Sequence, residues 1–357
     1  MRKLDEDRNG SAKPERITIR TVAAHAGVSV AAVSKVLRNA YGVSDQLRRK
    51  VNRSIQELGY RPSRAARALR GRTFTIGVLV VDLSNPWLPN VIEGVNAELA
   101  PSNYRSMIGV GHSEAQLEIP LIESMIDYKM DGLILIAPGL KPSVIGAFAC
   151  QIPIVTIAYH AGAAAAFDTV NTDDRRGGQL AVEALLSRGY RDIAMLTYER
   201  RAGDKVLVMR QREAGYKSAM RTAGLSRKIR ILSCARNPSV RAKQIRELLA
   251  SPDRPEAVFC WSDLDAVPLL AAARSAGVRV PEDLAIVGFD NSPTAGLTPI
   301  DLASIDQSAH ELGEIAARTL MSRINGRTAP LHPKIQPTLV PRGSLGAVDP
   351  CRRSTRA

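Results

Sequence analysis

Long apolar runs are missing from this chain. None approaches the roughly 18–20 consecutive apolar residues that cross a bilayer, so no transmembrane helix is expected. The opening stretch, Met1 to Arg16, is charged and polar without an apolar segment, and no secretory leader is expected. Cysteine is scarce. Cys150, Cys234, Cys260 and Cys351 are scattered, with no C-x-x-C and no histidine at metal-ligand spacing. That argues against a disulfide framework or metal site and for idle thiols in a reducing, cytoplasmic setting. Short catalytic signatures are absent too: there is no G-x-S-x-G, no Walker A loop and no H-E-x-x-H. The nearest approach to G-x-G-x-x-G, starting at Gly109, stops short. No catalytic residue, metal or cofactor is expected, and the chain does not read as an enzyme.

Positive charge is present in excess, and it is unevenly placed. Residues 1–72 hold 17 Lys and Arg against 6 Asp and Glu, a net +11. The other 285 residues hold 32 against 29, only +3. A basic segment on a near-neutral body points to a polyanionic partner. At 357 residues the chain suits two or three folding units.

The basic segment contains three short helical patterns. Thr18 can cap a helix with Ile19, Val22, Ala23 and Ala26 on one face. Gly27-Val28 makes a turn, and Ser29 caps a second helix that turns Val30, Val33, Val36 and Leu37 inward. Ser44 opens a third, with Leu47, Val51, Ile55 and Leu58 inward and Gly59 at its end. Two short helices joined by a glycine turn form the helix-turn-helix plan, whose second helix enters the major groove of DNA. On its outer face Lys35 suits guanine, while Val30 and Ala31, near the helix N-terminus, suit thymine methyls or base edges. Ser29, Ser34, Arg38, Arg48, Arg49 and Arg53 suit phosphates.

The segments IRTVAAHAGVSVAAVSKVLRN and VSDQLRRKVNRSIQELGYRPSRAARALR resemble the lactose/galactose-repressor (LacI/GalR) family without a gap from Ile17 to Arg70. The resemblance implies operator contacts at Thr18, Ser44, Arg64, Arg67 and Leu69 as well, with Leu69 matching a leucine pushed between base pairs in the minor groove. Eight residues, 63–70, are too few for a stable isolated helix, so a hinge ordered only on DNA is expected. The chain departs from the family at Thr21, where Asp is usual, and at Ala32 and Leu47, where phosphate-binding Thr is usual. Arg38-Asn39 replaces the usual Asn-Gly, and Arg38 is expected to compensate.

From Phe74 onward, apolar runs at 75–81, 104–110, 132–137, 153–158, 192–197, 228–232, 257–261 and 284–289 alternate with helical stretches such as 86–100, 113–128, 175–188, 238–250 and 263–276. That pattern predicts parallel sheets covered on both faces, in two Rossmann-like lobes. Ligands bind beyond the carboxyl ends of such strands. Asp82, Trp87, Ser262, Asp263 and Asp290 follow strands and suit a polar ring or polyhydroxylated ligand.

The resemblance continues to about Gly343, through VVDLSNPWLPNVIEGV, RQREAGY, CWSDLDA and VPEDLAIVGFDN. It implies a periplasmic-binding-protein-like domain that clasps a small effector between its lobes, with Arg212 as polar clamp, Ser262, Asp263 and Asp290 from the second lobe and Trp87 from the first. Asp82 rests on its strand-end position alone. After the fourth strand the family commonly has an acidic residue for sugar hydroxyls, but here the chain reads Ala158-Tyr159-His160. The effector is then a different sugar, or not a sugar.

The expected organisation is a tail over 1–16, a helix-turn-helix over 17–62, a hinge over 63–72, an effector and dimerisation domain over 73–345, and a tail over 346–357. Lobe crossovers are expected near 172, 304 and 326. The expected function is a cytoplasmic, nucleoid-associated repressor. As a homodimer or tetramer it binds a roughly palindromic double-stranded DNA operator under control of a small-molecule effector, with no membrane partner. An effector-independent DNA-bending regulator, and more remotely an enzyme or a solute-binding protein on the same fold, are the alternatives.

Overall fold

The computed structural model describes residues 17–37, 40–61, 71–161, 166–199 and 207–347. The chain divides into two units between Thr73 and Phe74. The N-terminal tail, Arg38, the stretch 62–70 that holds Arg64, Arg67 and Leu69, and the residues from 348 onward lie outside the described residues.

The first unit carries three helices: α1 (Ile19–His25), α2 (Val30–Leu37) and α3 (Asp45–Glu57). Each begins on a hydroxyl side chain. Thr18 Oγ1 accepts from the Thr21 N–H at 3.4 Å, and Thr21 Oγ1 accepts from the Thr18 N–H at 3.2 Å. Thr21 thus completes a reciprocal cap that an acidic residue would otherwise make. Ser29 Oγ accepts from the Ala32 N–H at 3.1 Å, and Ser44 Oγ from the Leu47 N–H at 3.3 Å. Gly27, at φ +54°, makes the turn between α1 and α2 in the left-handed region, where a side chain is disfavoured. Val22, Ala23, Ala26, Val33, Val36 and Val51 form the small buried core.

The second unit contains two six-stranded sheets. The first holds β1 (Thr75–Val80), β2 (Arg105–Val110), β3 (Gly132–Ile136), β4 (Ile154–Ile157), β5 (Asp168–Thr172) and β11 (Lys334–Ile335). The second holds β6 (Ile193–Tyr198), β7 (Arg230–Cys234), β8 (Ala257–Cys260), β9 (Ala285–Asp290), β10 (Ala303–Asp306) and β12 (Thr338–Val340). Their orders are β11-β5-β4-β3-β1-β2 and β12-β10-β9-β8-β6-β7. Every neighbouring pair is parallel except β10 and β12. The sheets are therefore wound alike, each reversing direction beside its first strand, which is where doubly wound sheets open a crevice.

Helices cover both faces: α4 (Trp87–Leu99), α5 (Ala115–Asp127), α6 (Pro142–Ala149) and α11 (Ala309–Ile324) on the first sheet, and α7 (Asp174–Leu186), α8 (Leu207–Thr222), α9 (Pro238–Ala250) and α10 (Asp263–Ser275) on the second. Each lobe carries two apolar clusters. Helices α7 and α8 cross backbone to backbone. A Cβ at Gly178 would strike the Arg212 carbonyl, and one at Gly215 would strike the Arg175 carbonyl.

The eight apolar strands expected from the sequence are present within two residues at either end. Four further strands escaped that reading. β5 (DTVNT) and β10 (ASID) are polar yet buried, because side-chain bonds replace apolar packing: Asn171 with Tyr159, and Ser304 with Asp263. The chain passes between lobes from β5 to α7, from β10 to α11, and from β11 to β12. The third passage lies between Ile335 and Thr338, not near 326, because β11 still pairs with β5.

One buried knot ties the end of α11 to β5. Asp168, fully buried, accepts from Arg327 at 2.8 Å, from Arg323 at 3.1 Å and from the Leu331 N–H at 2.6 Å. Burial alone would raise its carboxyl; the two guanidinium groups and the Leu331 N–H hold it below 3.8. A depressed carboxyl stabilises the fold above the unfolded value and loses that contribution as pH falls through the folded value. Asp168→Ala should therefore lower stability by about 3 kcal/mol at pH 7. The difference should shrink in urea titrations run below pH 3.8.

Candidate functional site

Two places concentrate exposed or unusual chemistry. On α2, Ala31 and Lys35 stand four residues apart, one above the other, and both are exposed. Val30 is half-buried against the core, so it is shared between packing and any base contact. Ser34 is half-buried and already engaged. Ser29 and Ser44 use their oxygens as helix caps, and each hydroxyl keeps a hydrogen to donate. Arg49 and Arg53 lie one turn apart on α3 and are exposed, with Lys50 beside them. Thr18, exposed at the start of α1, is bonded to Thr21. These exposed residues are rich in donors and cations, and they suit a phosphate backbone.

The second place is a cavity of about 480 Å³ between the two lobes. The carboxyl ends of β1, β3 and β4 supply Asp82, Ala137 and Ala158, and those of β6, β8 and β9 supply Tyr198, Trp261 and Asp290. Arg212 on α8 also lines it, only 3% exposed. Its Nε donates to Asp174 Oδ1 at 2.7 Å and its Nη1 to the Trp261 carbonyl at 2.5 Å. Asp290 Oδ1 lies 3.5 Å from Nη1, and the Phe289 ring lies 3.6 Å from the guanidinium carbon. A buried cation survives only with such compensation.

Asp290 has both oxygens engaged. Oδ1 accepts from Gln307 Nε2 at 2.6 Å and Oδ2 from Ser262 Oγ at 2.9 Å. Burial pushes its carboxyl up, against the pull of Arg212. Its backbone sits at φ +111°, which turns the strand end toward the cavity and is strained for a non-glycine residue. Beside it, Trp261 donates its indole N–H to Asp265 at 2.6 Å, and Arg241 bonds Tyr198 Oη at 2.7 Å and Asp265 at 3.2 Å. These groups build a wall of two rings and two guanidinium groups, since Arg236 lies 5.6 Å from the Tyr198 ring.

Five of the six ligand-binding residues expected from the sequence line this cavity: Asp82, Trp87, Arg212, Ser262 and Asp290. Asp82 does so with one oxygen occupied, Oδ1 accepting from Ser84 and Asn85. Trp87 is buried, and its indole N–H has no partner among the described residues. Asp263 does not line the cavity. Its Oδ1 accepts from Ser304 Oγ and its Oδ2 from the Ser292 N–H, both at 2.7 Å, so it ties the loop after β9 to β10. The sequence reading missed Asp174 and Gln307. Gln307 follows β10 and was hidden because that polar strand was not recognised. Asp174 sits in a run of charged residues with nothing to distinguish it from Asp173, which caps α7.

Comparison with known proteins places both regions. Residues 18–63 match the model of bacterial regulatory proteins of the lacI family, and residues 182–345 match a periplasmic binding protein-like domain. The chain is 31% identical over 335 residues to the HTH-type transcriptional repressor PurR of Erwinia tasmaniensis, covering 92% of this chain and 96% of that one. It is 32% identical over 337 residues to the ribose operon repressor of Haemophilus influenzae, covering 88% and 96%. Among solved structures, a complex of the transcriptional regulator CelR with cellobiose superposes with a TM-score of 0.66 at 28% identity, covering 92% of this chain and all of that one. The chain belongs to the lacI family of bacterial regulatory proteins, DNA-binding transcriptional regulators under the control of a small-molecule effector.

Proposed function

We propose that this chain is a homodimeric repressor that grips a roughly palindromic operator and releases or tightens that grip when a small polyhydroxylated molecule enters the cavity between its lobes. The observation that carries the effector reading is the buried Arg212 guanidinium, fixed by Asp174 and the Trp261 carbonyl at the edge of a 480 Å³ cavity. Carboxylate, hydroxyl and indole groups beside it suit hydroxyl hydrogen bonds and the apolar face of a ring. The relatives named for a ribose operon and for a cellobiose complex support a sugar-class effector. Thermal shift of the wild-type protein against a panel of sugars and metabolites tests this. Arg212→Ala should abolish the shift given by the responding compound while operator affinity stays within about threefold. Loss of both together would overturn the assignment.

In this reading Ala31 and Lys35 meet base edges, and Thr18, Ser29, Ser44, Arg49 and Arg53 meet phosphates. Lys35→Ala should cost about 1–3 kcal/mol on the operator and far less on scrambled DNA. Arg49→Ala should weaken binding to both, and lower the slope of log affinity against log salt by about 0.9. Fluorescence anisotropy across salt concentrations reads both effects.

The dimer face we infer is the edge of the first sheet. On edge strand β2, Met107 and Ile108 are 53% and 49% exposed, and Leu117 on the adjoining α5 is 41% exposed. An uncovered apolar sheet edge invites a second copy, and a two-fold partner matches a palindromic site. Ile108→Asp should shift the protein to monomers in sedimentation velocity and weaken operator binding at least about tenfold, since each half-site then binds alone.

A further inference from the structure

His160 follows β4 in the first lobe, where the family resemblance leads one to expect an acidic residue that holds ligand hydroxyls. Its ring is not part of the cavity wall, although its neighbours Ala158 and Tyr159 are. Instead, Nε2 lies 2.7 Å from Oδ2 of Asp174, the first residue of α7 in the second lobe. A carboxylate can only accept, so Nε2 carries the hydrogen. The other oxygen of Asp174 takes the Arg212 Nε–H at 2.7 Å. Asp174 and Arg212 are 2% and 3% exposed, and His160 is 11% exposed.

A row of alternating donors and acceptors therefore runs from His160 through Asp174 and Arg212 to Asp290. It passes from one lobe to the other at the imidazole–carboxylate bond. In a site this poorly hydrated, losing one member leaves its neighbour without compensation. An acidic residue at 160 would set like charge against Asp174.

We propose that His160 is a positioning residue for Arg212: from the first lobe it holds Asp174, and Asp174 sets the pose of the guanidinium that meets the effector. A change in the angle between the lobes is then felt at Arg212, and the pose of Arg212 feeds back on that angle. The proposal draws its regulatory meaning from the effector reading above, but its mechanics are testable on the effector-free protein.

The two tryptophans of the chain, Trp87 and Trp261, both border the cavity. Arg212 bonds the Trp261 carbonyl, and its guanidinium carbon lies 5.8 Å from the Trp261 ring. In full-length Trp87→Phe protein, Trp261 becomes the sole indole reporter of that pose. In this background His160→Ala should shift Trp261 emission and weaken its near-ultraviolet circular dichroism while unfolding stays cooperative. Amide exchange across α8 should become about fivefold faster or more, as expected for loss of a bond to a charged group. His160→Gln, whose amide can donate to Asp174, should restore both signals. If His160→Ala does not fold, His160→Asn keeps the amide but falls short of Asp174, and is read the same way. A folded variant with unchanged Trp261 signals and unchanged α8 exchange overturns the proposal, as does a Gln variant that behaves like Ala. Failure of the effector reading would leave these results standing, whereas failure of the coupling would leave effector binding in the wild-type protein intact.

Discussion

A guanidinium group that is almost wholly removed from water must be compensated on every side, and that constraint organises the second unit of this protein. Arg212 meets it with two carboxylates, a backbone carbonyl and an aromatic face. Those partners come from three different elements, so the cation cannot be placed without the arrangement of α7, β8 and β9 around α8. The glycine crossing of α7 over α8 fixes where the Arg212 backbone lies, and Asp174 fixes how its side chain leaves it. Much of the second lobe's polar interior follows from this point. Asp290 needs Ser262 and Gln307 because it shares the burial, and Asp263 needs Ser304 and Ser292 for the same reason one layer further in.

The two lobes solve the same topological problem with different chemistry. Both sheets reverse direction beside their first strand, and both aim strand ends at one cavity. The first lobe contributes short loops whose polar atoms are largely engaged with themselves, as in the Asp82 turn. The second contributes cations and rings held by buried carboxylates. The charged part of the cavity wall is therefore built mainly from the second lobe. The DNA-reading unit contrasts with both: its buried core is six small residues, and each of its helices begins on a hydroxyl cap. The threonine pair at positions 18 and 21 shows that a reciprocal cap survives the loss of an acidic partner.

Much of this was legible in the linear chain because it rests on local periodicity. The three N-terminal helices, their hydroxyl caps and the eight apolar strands follow from residue spacing and side-chain type. Of the four strands that were missed, β5 and β10 are those whose burial depends on distant hydrogen-bond partners, and β11 and β12 are only two and three residues long. Asp263 shows the opposite failure. Its place after a strand is the same as that of its cavity-lining neighbour Ser262, yet its side chain turns away from the cavity toward Ser304 and Ser292.

The sequence by itself determined that a basic helix-turn-helix precedes two parallel-sheet lobes, since charge distribution and hydrophobic period are properties of the chain in order. Tertiary structure alone decided which carboxylates face the cavity and which serve the fold. It placed His160 and Asp174, fourteen residues apart and in different lobes, within 2.7 Å of each other. It also moved the third lobe crossing beyond Ile335. The physical reason is the same in each case. A buried polar group goes where its partner is, and the partner's position is set by how strands and helices pack, not by its distance along the chain.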